Sequence, residues 1–149
     1  MDFVREVQQA LADRFGAALR VAALDFGRQG SHLDVAAEAG QIEAIAKLMD
    51  GLGCTLEAIS GVDRIAEGSL EAVYDFNRLV GGGRVTVRVR VPRETPEIPT
   101  ISQVFGGADW HEREAHDFFG IVFAGHPNLT PLLLPEEATF HPLRKDFSA

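Results

Sequence analysis

The spacing of apolar residues predicts two amphipathic helices in the first third of the chain. Apolar positions recur every three or four residues from Phe3 to Phe15, and again over residues 38–52. This spacing places them on one face of a helix. Asp2 is a typical N-terminal cap for the first helix. Gly16 and Gly53 follow the two patterns and favour helix termination.

Alternating apolar and polar positions predict five strands, at residues 20–26, 32–36, 55–62, 70–77 and 85–91. Turns are predicted at Gly27–Gly30 and at Gly81–Gly83. The last strand has the clearest period of two, with valines at the odd positions and Thr86, Arg88 and Arg90 between them. Its valines are therefore expected to face the core and its arginines the opposite side.

The order of these elements predicts the fold class. One helix and two strands are followed by a second helix and three strands, and short turns join most of the strands. This order favours antiparallel pairing and an α+β fold rather than a doubly wound sheet. We expect an antiparallel-rich sheet packed by two helices, followed by a short helix and an extended C-terminal tail.

The pattern changes after Val91. Three prolines predict a stiff extended linker, because each fixes its own φ and restrains the residue before it; they are Pro92, Pro96 and Pro99. Residues Thr100–Gln103 fit a capping box that would open a short helix. A further helix is predicted from Trp110 to Phe119, with Asp109 and Glu112 as N-terminal cap signals and Gly120 as its end.

The C-terminal residues 121–149 show no convincing helix or strand, yet they are rich in apolar residues. Disorder would require low hydrophobicity, and long structureless loops are uncommon in compact domains unless they are functional. We therefore expect this tail to bury its apolar side chains against its own sheet or against a partner subunit. The chain divides into a sheet domain at 1–91, a linker with short helices at 92–120 and the tail at 121–149.

Composition narrows the class of protein. The chain has 149 residues and a net charge of −8, which fits one globular domain. A single cysteine, Cys54, excludes an internal disulfide framework, a four-cysteine zinc site and an iron–sulfur cluster held by this chain alone. No apolar run reaches the roughly 20 residues of a membrane helix. The N-terminus lacks a basic region followed by an apolar one, so we expect no secretory signal. We expect a soluble cytoplasmic domain, and Cys54 to be a small buried residue.

Residues 76–93 contain no acidic residue and five arginines, which are Arg78, Arg84, Arg88, Arg90 and Arg93. Such a stripe is compatible with nucleic-acid binding. In an acidic chain it is more typical of the polar face of a strand or of a surface that meets an acidic protein partner. We therefore expect no nucleic-acid partner.

Four histidines lie in the C-terminal part of the chain, at His111, His116, His126 and His141. The first two are five residues apart, so on a regular helix their side chains diverge by about 140° and cannot share a metal ion. Hydrogen bonding to the backbone is the favoured role of all four. A metal-dependent hydrolase that uses His126 or His141 remains a distant alternative.

Three acidic residues crowd the predicted helix at 110–119. Glu112 fits an N-terminal position, where the helix dipole favours an anion. Glu114 and Asp117 lie three residues apart on one face, an unfavourable pair unless bases meet it. Arg144 and Lys145 are the expected ion-pair partners. We predict no catalytic, cofactor-binding or metal-binding residue on the chain.

The ordered motifs of the C-terminal part resemble a known family. They are Glu112-Arg113-Glu114-Ala115-His116-Asp117-Phe118-Phe119-Gly120-Ile121, Gly125-His126-Pro127, Leu132-Leu133-Leu134-Pro135 and His141-Pro142-Leu143-Arg144-Lys145-Asp146-Phe147. This set is similar to the 30 kDa subunit family of respiratory complex I (NADH:quinone oxidoreductase), which includes the related subunits of membrane-bound nickel–iron hydrogenases. The sequence departs from the family at Thr130 and Pro131, where basic residues are usual, and at His116, where an aromatic such as tyrosine is common.

The resemblance implies a non-catalytic assembly subunit in the hydrophilic arm of a proton-pumping NADH:quinone oxidoreductase, peripheral on the cytoplasmic face of the membrane. It implies docking on the large quinone-site subunit and near the small cluster-bearing subunit. NADH, FMN, iron–sulfur clusters and quinone are then expected on partner subunits. The equivalent subunit of a complex I-related nickel–iron hydrogenase is the alternative. The residues expected to dock are Glu112, Arg113, Glu114, Asp117, Phe118, Phe119, Gly120, Gly125, His126, Pro127, Leu132, Leu133, Leu134, Pro135, His141, Pro142, Leu143, Arg144, Lys145 and Asp146.

Overall fold

A computed structural model describes residues 2–148, which contain four α-helices, three short 3-10 helices and seven strands. The α-helices are α1 (Phe3–Phe15), α2 (Phe26–Gln29), α3 (Ile42–Gly51) and α4 (Ala108–Phe119). The strands are β1 (Arg20–Ala23), β2 (Leu33–Ala37), β3 (Thr55–Arg64), β4 (Ser69–Arg78), β5 (Gly83–Pro92), β6 (Glu97–Pro99) and β7 (Val122–Ala124).

Five strands form one sheet in the order β1-β2-β5-β4-β3. Its pairs are antiparallel except β2 with β5, which run parallel. The parallel pair arises because α3, β3 and β4 intervene between the two strands along the chain, so β5 returns in the direction of β2. The predicted α+β fold with an antiparallel-rich sheet is confirmed.

The valines of β5 face the core, as their spacing predicts. Val85, Val87 and Val89 are fully buried, and each lies opposite an apolar residue of β4. Apolar residues of α1 and α3, including Val7 and Ile45, belong to the same core. The arginines of β5 lie on the other face of the sheet, where the Arg90 side chain is 53% exposed.

The N-terminal strand ends earlier than the sequence predicts, and a single helical turn replaces the predicted turn at 27–30. The cause is Asp25, whose carboxylate accepts a 3.1 Å hydrogen bond from the Gly27 N–H and caps α2. An N-terminal cap of this kind favours helical φ and ψ in the residues that follow.

The capping box predicted at Thr100–Gln103 does not open a helix, and that prediction is wrong. The Thr100 hydroxyl accepts a hydrogen bond from the Ser102 N–H at 3.1 Å, and one helical turn follows, closed by a bond from the Phe105 N–H to the Ile101 carbonyl. The Thr100 hydroxyl also binds the Glu112 side chain. Its contacts therefore hold a turn against α4 rather than start a new helix.

The prediction of no strand in the tail is wrong at Val122–Ala124. These residues form β7, which pairs with β6 in parallel register. The side chains of Ile121 and Phe123 are almost fully buried beside Ile98 and Ile101 in the main core. Three residues are too few to show a period of two, so the strand carries no sequence signal of its own.

A glycine of β3 determines how closely α4 approaches the sheet. The ring of Phe119 lies against the backbone of Gly61, and a Cβ atom on Gly61 would collide with that ring. Helix α4 therefore packs on β3, with its C-terminal end near the middle of the strand. Cys54 is buried in the core, as predicted.

No helix within residues 2–148 combines the length and the apolar character that a membrane span requires.

Candidate docking site

The tail closes the C-terminal end of α4. A helix leaves its last four carbonyls without intrahelical partners, and each needs another donor. Here all four are satisfied by Gly120 and the tail. The pairs are His116 O with Gly120 N at 2.9 Å, Asp117 O with His141 Nδ1 at 3.0 Å, Phe118 O with Leu143 N at 3.0 Å and Phe119 O with Arg144 Nε at 2.7 Å.

Gly120 makes this closure possible. Its φ is +80°, in the left-handed region that other residues rarely adopt. A Cβ atom there would lie 2.8 Å from Arg144 Nη2 and 2.8 Å from His141 Cδ2. A glycine is therefore required both by the backbone conformation and by the close approach of the tail.

Asp117 binds the tail through backbone amides. Its Oδ2 atom accepts hydrogen bonds from the N–H groups of Leu132 at 2.8 Å, Leu133 at 2.7 Å and Leu134 at 3.3 Å. The residue is 3% exposed, so the three amides supply the hydrogen bonds that a buried carboxylate requires.

The predicted ion pairs of Glu114 and Asp117 with Arg144 and Lys145 are wrong. Within residues 2–148 neither acid forms a salt bridge. The spacing of three residues does not place both carboxylates in one environment. Glu114 is exposed, whereas Asp117 is buried under the tail. Arg144 instead donates to a backbone carbonyl, as described above.

Arg113 provides a second attachment for the tail. Its Nε donates to the Thr130 carbonyl at 3.1 Å, and its Nη2 donates to the Pro131 carbonyl at 3.0 Å. The guanidinium carbon also lies 5.7 Å from the centre of the Trp110 ring, within the range of a cation–π interaction. Arg113 therefore fixes Thr130 and Pro131 of the tail against α4.

A third attachment joins the tail to β3. The Asp63 carboxylate receives two hydrogen bonds from Arg93, each 2.8 Å, and one from the Lys145 N–H at 2.7 Å. Arg93 also donates to Asp146 at 3.0 Å. The bonds from Arg93 hold the pKa of Asp63 and of Asp146 below the ordinary value, and the two carboxylates raise the pKa of Arg93.

Glu112 does not cap the helix, which corrects the sequence-based prediction. The N-cap position is Gly107 and has no side-chain hydrogen bond. Glu112 is fully buried, and its carboxylate accepts hydrogen bonds from the Thr100 hydroxyl and, at 2.9 Å, from the Ile101 N–H. Burial raises the pKa of Glu112, and these two hydrogen bonds act in the opposite direction. Its role is to fix the segment between β6 and α4.

Three of the C-terminal histidines, His116, His126 and His141, contact backbone groups, as predicted. The contact of His141 with the Asp117 carbonyl is described above. His126 Nδ1 accepts a 2.9 Å hydrogen bond from the Asn128 N–H, so Nε2 carries the proton and lies 3.2 Å from the Asp109 carbonyl. His116 Nδ1 lies 2.9 Å from the Ile121 carbonyl. Among residues 2–148, no three His, Cys, Asp or Glu side chains are grouped to hold a metal ion.

The attachments hold the backbone of the tail but leave apolar side chains in contact with solvent. The large apolar side chains exposed beyond β7 are Leu133 at 65%, Leu143 at 55%, Phe140 at 44% and Phe147 at 39%, and Trp110 of α4 is exposed at 64%. The rings of Phe140 and Phe147 stack with centroids 5.8 Å apart. Together these five residues form the apolar surface of the site.

The residues predicted to dock separate into three groups by burial. The buried group consists of Glu112, Asp117 and Gly120. The half-buried group is Arg113, Phe118, Phe119, His126, Leu132, Leu134, His141, Pro142 and Arg144. The exposed group is Glu114, Gly125, Pro127, Leu133, Pro135, Leu143, Lys145 and Asp146. The prediction omits Asp63, Arg93, Trp110 and Phe140, which lie outside the motifs that carry the resemblance, and also Phe147, the last residue of those motifs.

The sequence is similar to those of subunits of NADH-quinone oxidoreductase. A curated relative from Salinispora arenicola, a subunit of NADH-quinone oxidoreductase, is 36% identical over 152 residues, which cover 95% of this chain and 60% of that relative. The chain thus spans less than two thirds of the length of that relative.

Two solved structures share the fold. A chain of the membrane-bound sulfane sulfur reductase, an archaeal respiratory membrane complex, superposes with a TM-score of 0.81 at 26% identity, covering 97% of this chain and 84% of that one. A trypsin-resistant fragment of Nqo5 superposes with a TM-score of 0.67 at 31% identity, covering 87% of this chain and all of the fragment.

The described residues define an α+β domain with a C-terminal tail that is fastened to one helix, α4, and one strand, β3. The family model for the 30 Kd subunit of respiratory-chain NADH dehydrogenase matches residues 35–149. The chain belongs to this family.

Proposed function

We propose that the chain is a non-catalytic assembly subunit of the hydrophilic arm of a proton-pumping NADH:quinone oxidoreductase. In this proposal, α4 and the tail dock on the large quinone-site subunit and near the small cluster-bearing subunit. Membership of the 30 Kd subunit family and the 36% identity to the NADH-quinone oxidoreductase relative from Salinispora arenicola support this assignment.

The observation that carries the proposal is a fixed backbone with exposed apolar side chains. Asp117, Arg113 and Asp63 hold the tail, while Leu133 and Leu143 are more than half exposed. Burying one such side chain in a partner contributes about 1.5–3 kcal/mol. Because the tail is already ordered, its side chains can bind without the full entropic cost of folding a disordered segment.

The proposal assigns the redox cofactors to partner subunits. NADH, FMN, the iron–sulfur clusters and quinone would bind there, and this chain would support electron transfer by positioning those subunits. The cysteine content favours this division, because an iron–sulfur cluster needs several cysteine ligands and the one cysteine of this sequence, Cys54, is buried in the core. The chain would lie on the cytoplasmic face of the membrane and contact the membrane only through the complex.

A double substitution tests the proposal. Changing Leu133 and Leu143 to serine removes two exposed apolar anchors without altering the hydrogen bonds that hold the tail. We expect the tagged variant, expressed in its own host, to lose at least 90% of the co-purifying large subunit. Leu79→Ser is the matched control, because Leu79 is 81% exposed at the distant turn between β4 and β5. Unchanged recovery of the large subunit with the double variant would refute the docking role.

A truncation gives an independent test, and the structure defines where to cut. Ending the chain at Gly120 would remove Ile121 and Phe123, which are buried in the core. Ending it after Ala124 keeps β7 and removes the rest of the tail, from Gly125 onward. We expect the chain that ends at Ala124 to retain the sheet, as measured by circular dichroism, and to lose co-purification with the large subunit.

The second candidate is the equivalent subunit of a related membrane-bound complex, such as a nickel–iron hydrogenase. The TM-score of 0.81 to a chain of the archaeal sulfane sulfur reductase complex supports this second candidate. A chain of that complex shares this fold, and the name of the complex does not include NADH. The neighbouring genes distinguish the two. A flavin subunit for NADH would support the first candidate, and a large subunit with nickel-binding cysteine pairs would support the second.

A further inference from the structure

The outer face of the sheet contains a groove that is separate from the tail. We call it the outer groove; it lies across β1, β2 and β5 and has a volume of about 900 Å³. Its floor includes Ala22 and Ala36, which lie on the neighbouring strands β1 and β2. Ala36 follows the buried Val35 of β2, whereas all four residues of β1 are exposed. The short side chains of the two alanines leave a trough beside the longer side chains of Arg20, Arg88 and Arg90.

The carboxylates of the outer groove are already bound. Glu71, whose side chain is 1% exposed, receives hydrogen bonds from Arg64 at 3.1 Å, Arg90 at 2.7 Å and Arg88 at 3.4 Å. Asp34 accepts a bond from Arg88 at 2.7 Å. The remaining acid of the groove, Glu38, accepts the backbone N–H of Gln41. None of these acids therefore needs a further donor.

The guanidinium groups, by contrast, have donors to spare. The Arg20 side chain forms no hydrogen bond or ion pair within residues 2–148, and Arg90 uses only its Nε. Both terminal nitrogens of Arg90 are thus free within the same range, and the side chain is 53% exposed. A guanidinium with two free terminal nitrogens matches the geometry of a carboxylate.

We propose that the outer groove binds an extended acidic segment of a protein partner. Carboxylates of the segment would pair with Arg20 and Arg90, and its small side chains would lie over Ala22 and Ala36. A protein segment fits better than a nucleic acid because bound carboxylates line the same groove. A short segment can place its few carboxylates on Arg20 and Arg90, whereas a continuous phosphate backbone would also bring charges against those acids. This inference concerns a second surface and does not depend on the function proposed for the tail.

Fluorescence anisotropy of a fluorescein-labelled peptide tests the proposal. The probe is eight residues of alternating glutamate and alanine, titrated with the full chain at low salt. We expect saturable binding that weakens with added salt, and a Kd at least tenfold higher for the double variant Arg20→Ala, Arg90→Ala. The matched control is Arg14→Ala, Arg28→Ala, which removes two exposed arginines that do not line the groove. Its Kd should stay within twofold of wild type.

Two further variants keep the test independent of folding defects. Arg20→Ala removes a side chain with no partner in residues 2–148, so it should leave the thermal midpoint unchanged and weaken the peptide severalfold. Ala36→Leu fills the floor without changing any charge and should also raise the Kd. The proposal is overturned if wild type shows no saturable binding, if the control pair weakens binding as much as the groove pair, or if eight-nucleotide single-stranded DNA binds more tightly than the peptide.

Discussion

The Asp63 carboxylate accepts a 2.7 Å hydrogen bond from the backbone N–H of Lys145, a residue 82 positions further along the chain. The same carboxylate is bound at both oxygens by Arg93. One buried acid of β3 therefore fixes both the segment that follows β5 and the far end of the tail. Removal of the Asp63 carboxylate should therefore affect β3, the segment after β5 and the end of the tail together.

Asp63→Asn is expected to destabilise the protein by about 3 kcal/mol, because it leaves the largely buried Arg93 without its main counter-ion. The free energy of unfolding at pH 7, measured by urea denaturation, checks this value. Asp146→Asn is the control, since Asp146 is half exposed and its loss leaves the Asp63 pair intact. Equal urea midpoints for Asp63→Asn and wild type would contradict the role of Asp63.

The same substitution should change the response to acid. The pKa of Asp63 is lowered in the folded protein by its hydrogen bonds from Arg93. Its contribution is therefore present above the unfolded value of 3.8 and is lost as pH falls through the lower folded value. We expect the gap in stability between wild type and Asp63→Asn to be full at pH 6 and to shrink below pH 4. A constant gap down to pH 2 would show that the charge of Asp63 does not matter.

Asp117→Asn should loosen the tail without unfolding the sheet. A neutral amide oxygen forms hydrogen bonds roughly half as strong as those of a carboxylate. We expect about tenfold faster hydrogen exchange at the N–H groups of Leu132, Leu133 and Leu134, since each 1.4 kcal/mol is a factor of ten. Hydrogen exchange with mass spectrometry measures this. Glu114→Gln, at an exposed position of the same helix, should leave these rates unchanged.

Gly120→Ala should lower the thermal midpoint by several degrees. Alanine would have to adopt the positive φ of this position, which is unfavourable for it, and its Cβ would lie 2.8 Å from Arg144 Nη2. We therefore expect the free energy of unfolding to fall by more than about 1 kcal/mol. Differential scanning calorimetry measures the shift. Gly106→Ala is the matched control, because a Cβ at Gly106 meets nothing within 4 Å. An unchanged midpoint for Gly120→Ala would mean that the tail does not close on α4 in solution.

Glu112→Gln should be tolerated at neutral pH, unlike Glu112→Ala. Glutamine can accept the Ile101 N–H and donate to the Thr100 hydroxyl, whereas alanine leaves a buried N–H unpaired at a cost of about 1–3 kcal/mol. Because burial raises the pKa of Glu112, the contribution of Glu112 to stability falls as pH rises from its unfolded value of 4.5 toward the higher folded value. Urea denaturation at pH 4.5 and pH 7 should show Glu112→Gln gaining relative to wild type at the higher pH.

The sequence predicts the sheet well because its signals are local. The alternation from Val85 to Val91 and the helical spacing from Phe3 to Phe15 depend only on neighbouring residues. The fastening of the tail is different, because Asp63, Arg93 and Lys145 meet only after the chain has folded. No local spacing carries that information, so the acid and its two partners could not be identified from the sequence.

The carboxylates of α4 show a second limit of prediction from the sequence. Their spacing makes Glu112 look like a dipole-stabilised residue and makes Glu114 and Asp117 look like an ion pair. Side-chain burial decides their roles instead, since Glu112 and Asp117 turn inward to backbone amides. The approximate location of the site follows from the motifs, whereas the function of each residue in it depends on tertiary packing.

The fastening of the tail also sets an order of events during synthesis. Residues 125–148 leave the ribosome after the sheet strands and α4, and they attach to groups that those elements must already have positioned. Asp63, Asp117 and the end of α4 form the template, and the tail is the last part to close on it. The apolar surface at Leu133 and Leu143 thus exists only on a chain whose sheet has folded. A partner that recognises this surface would select correctly folded subunits before assembly.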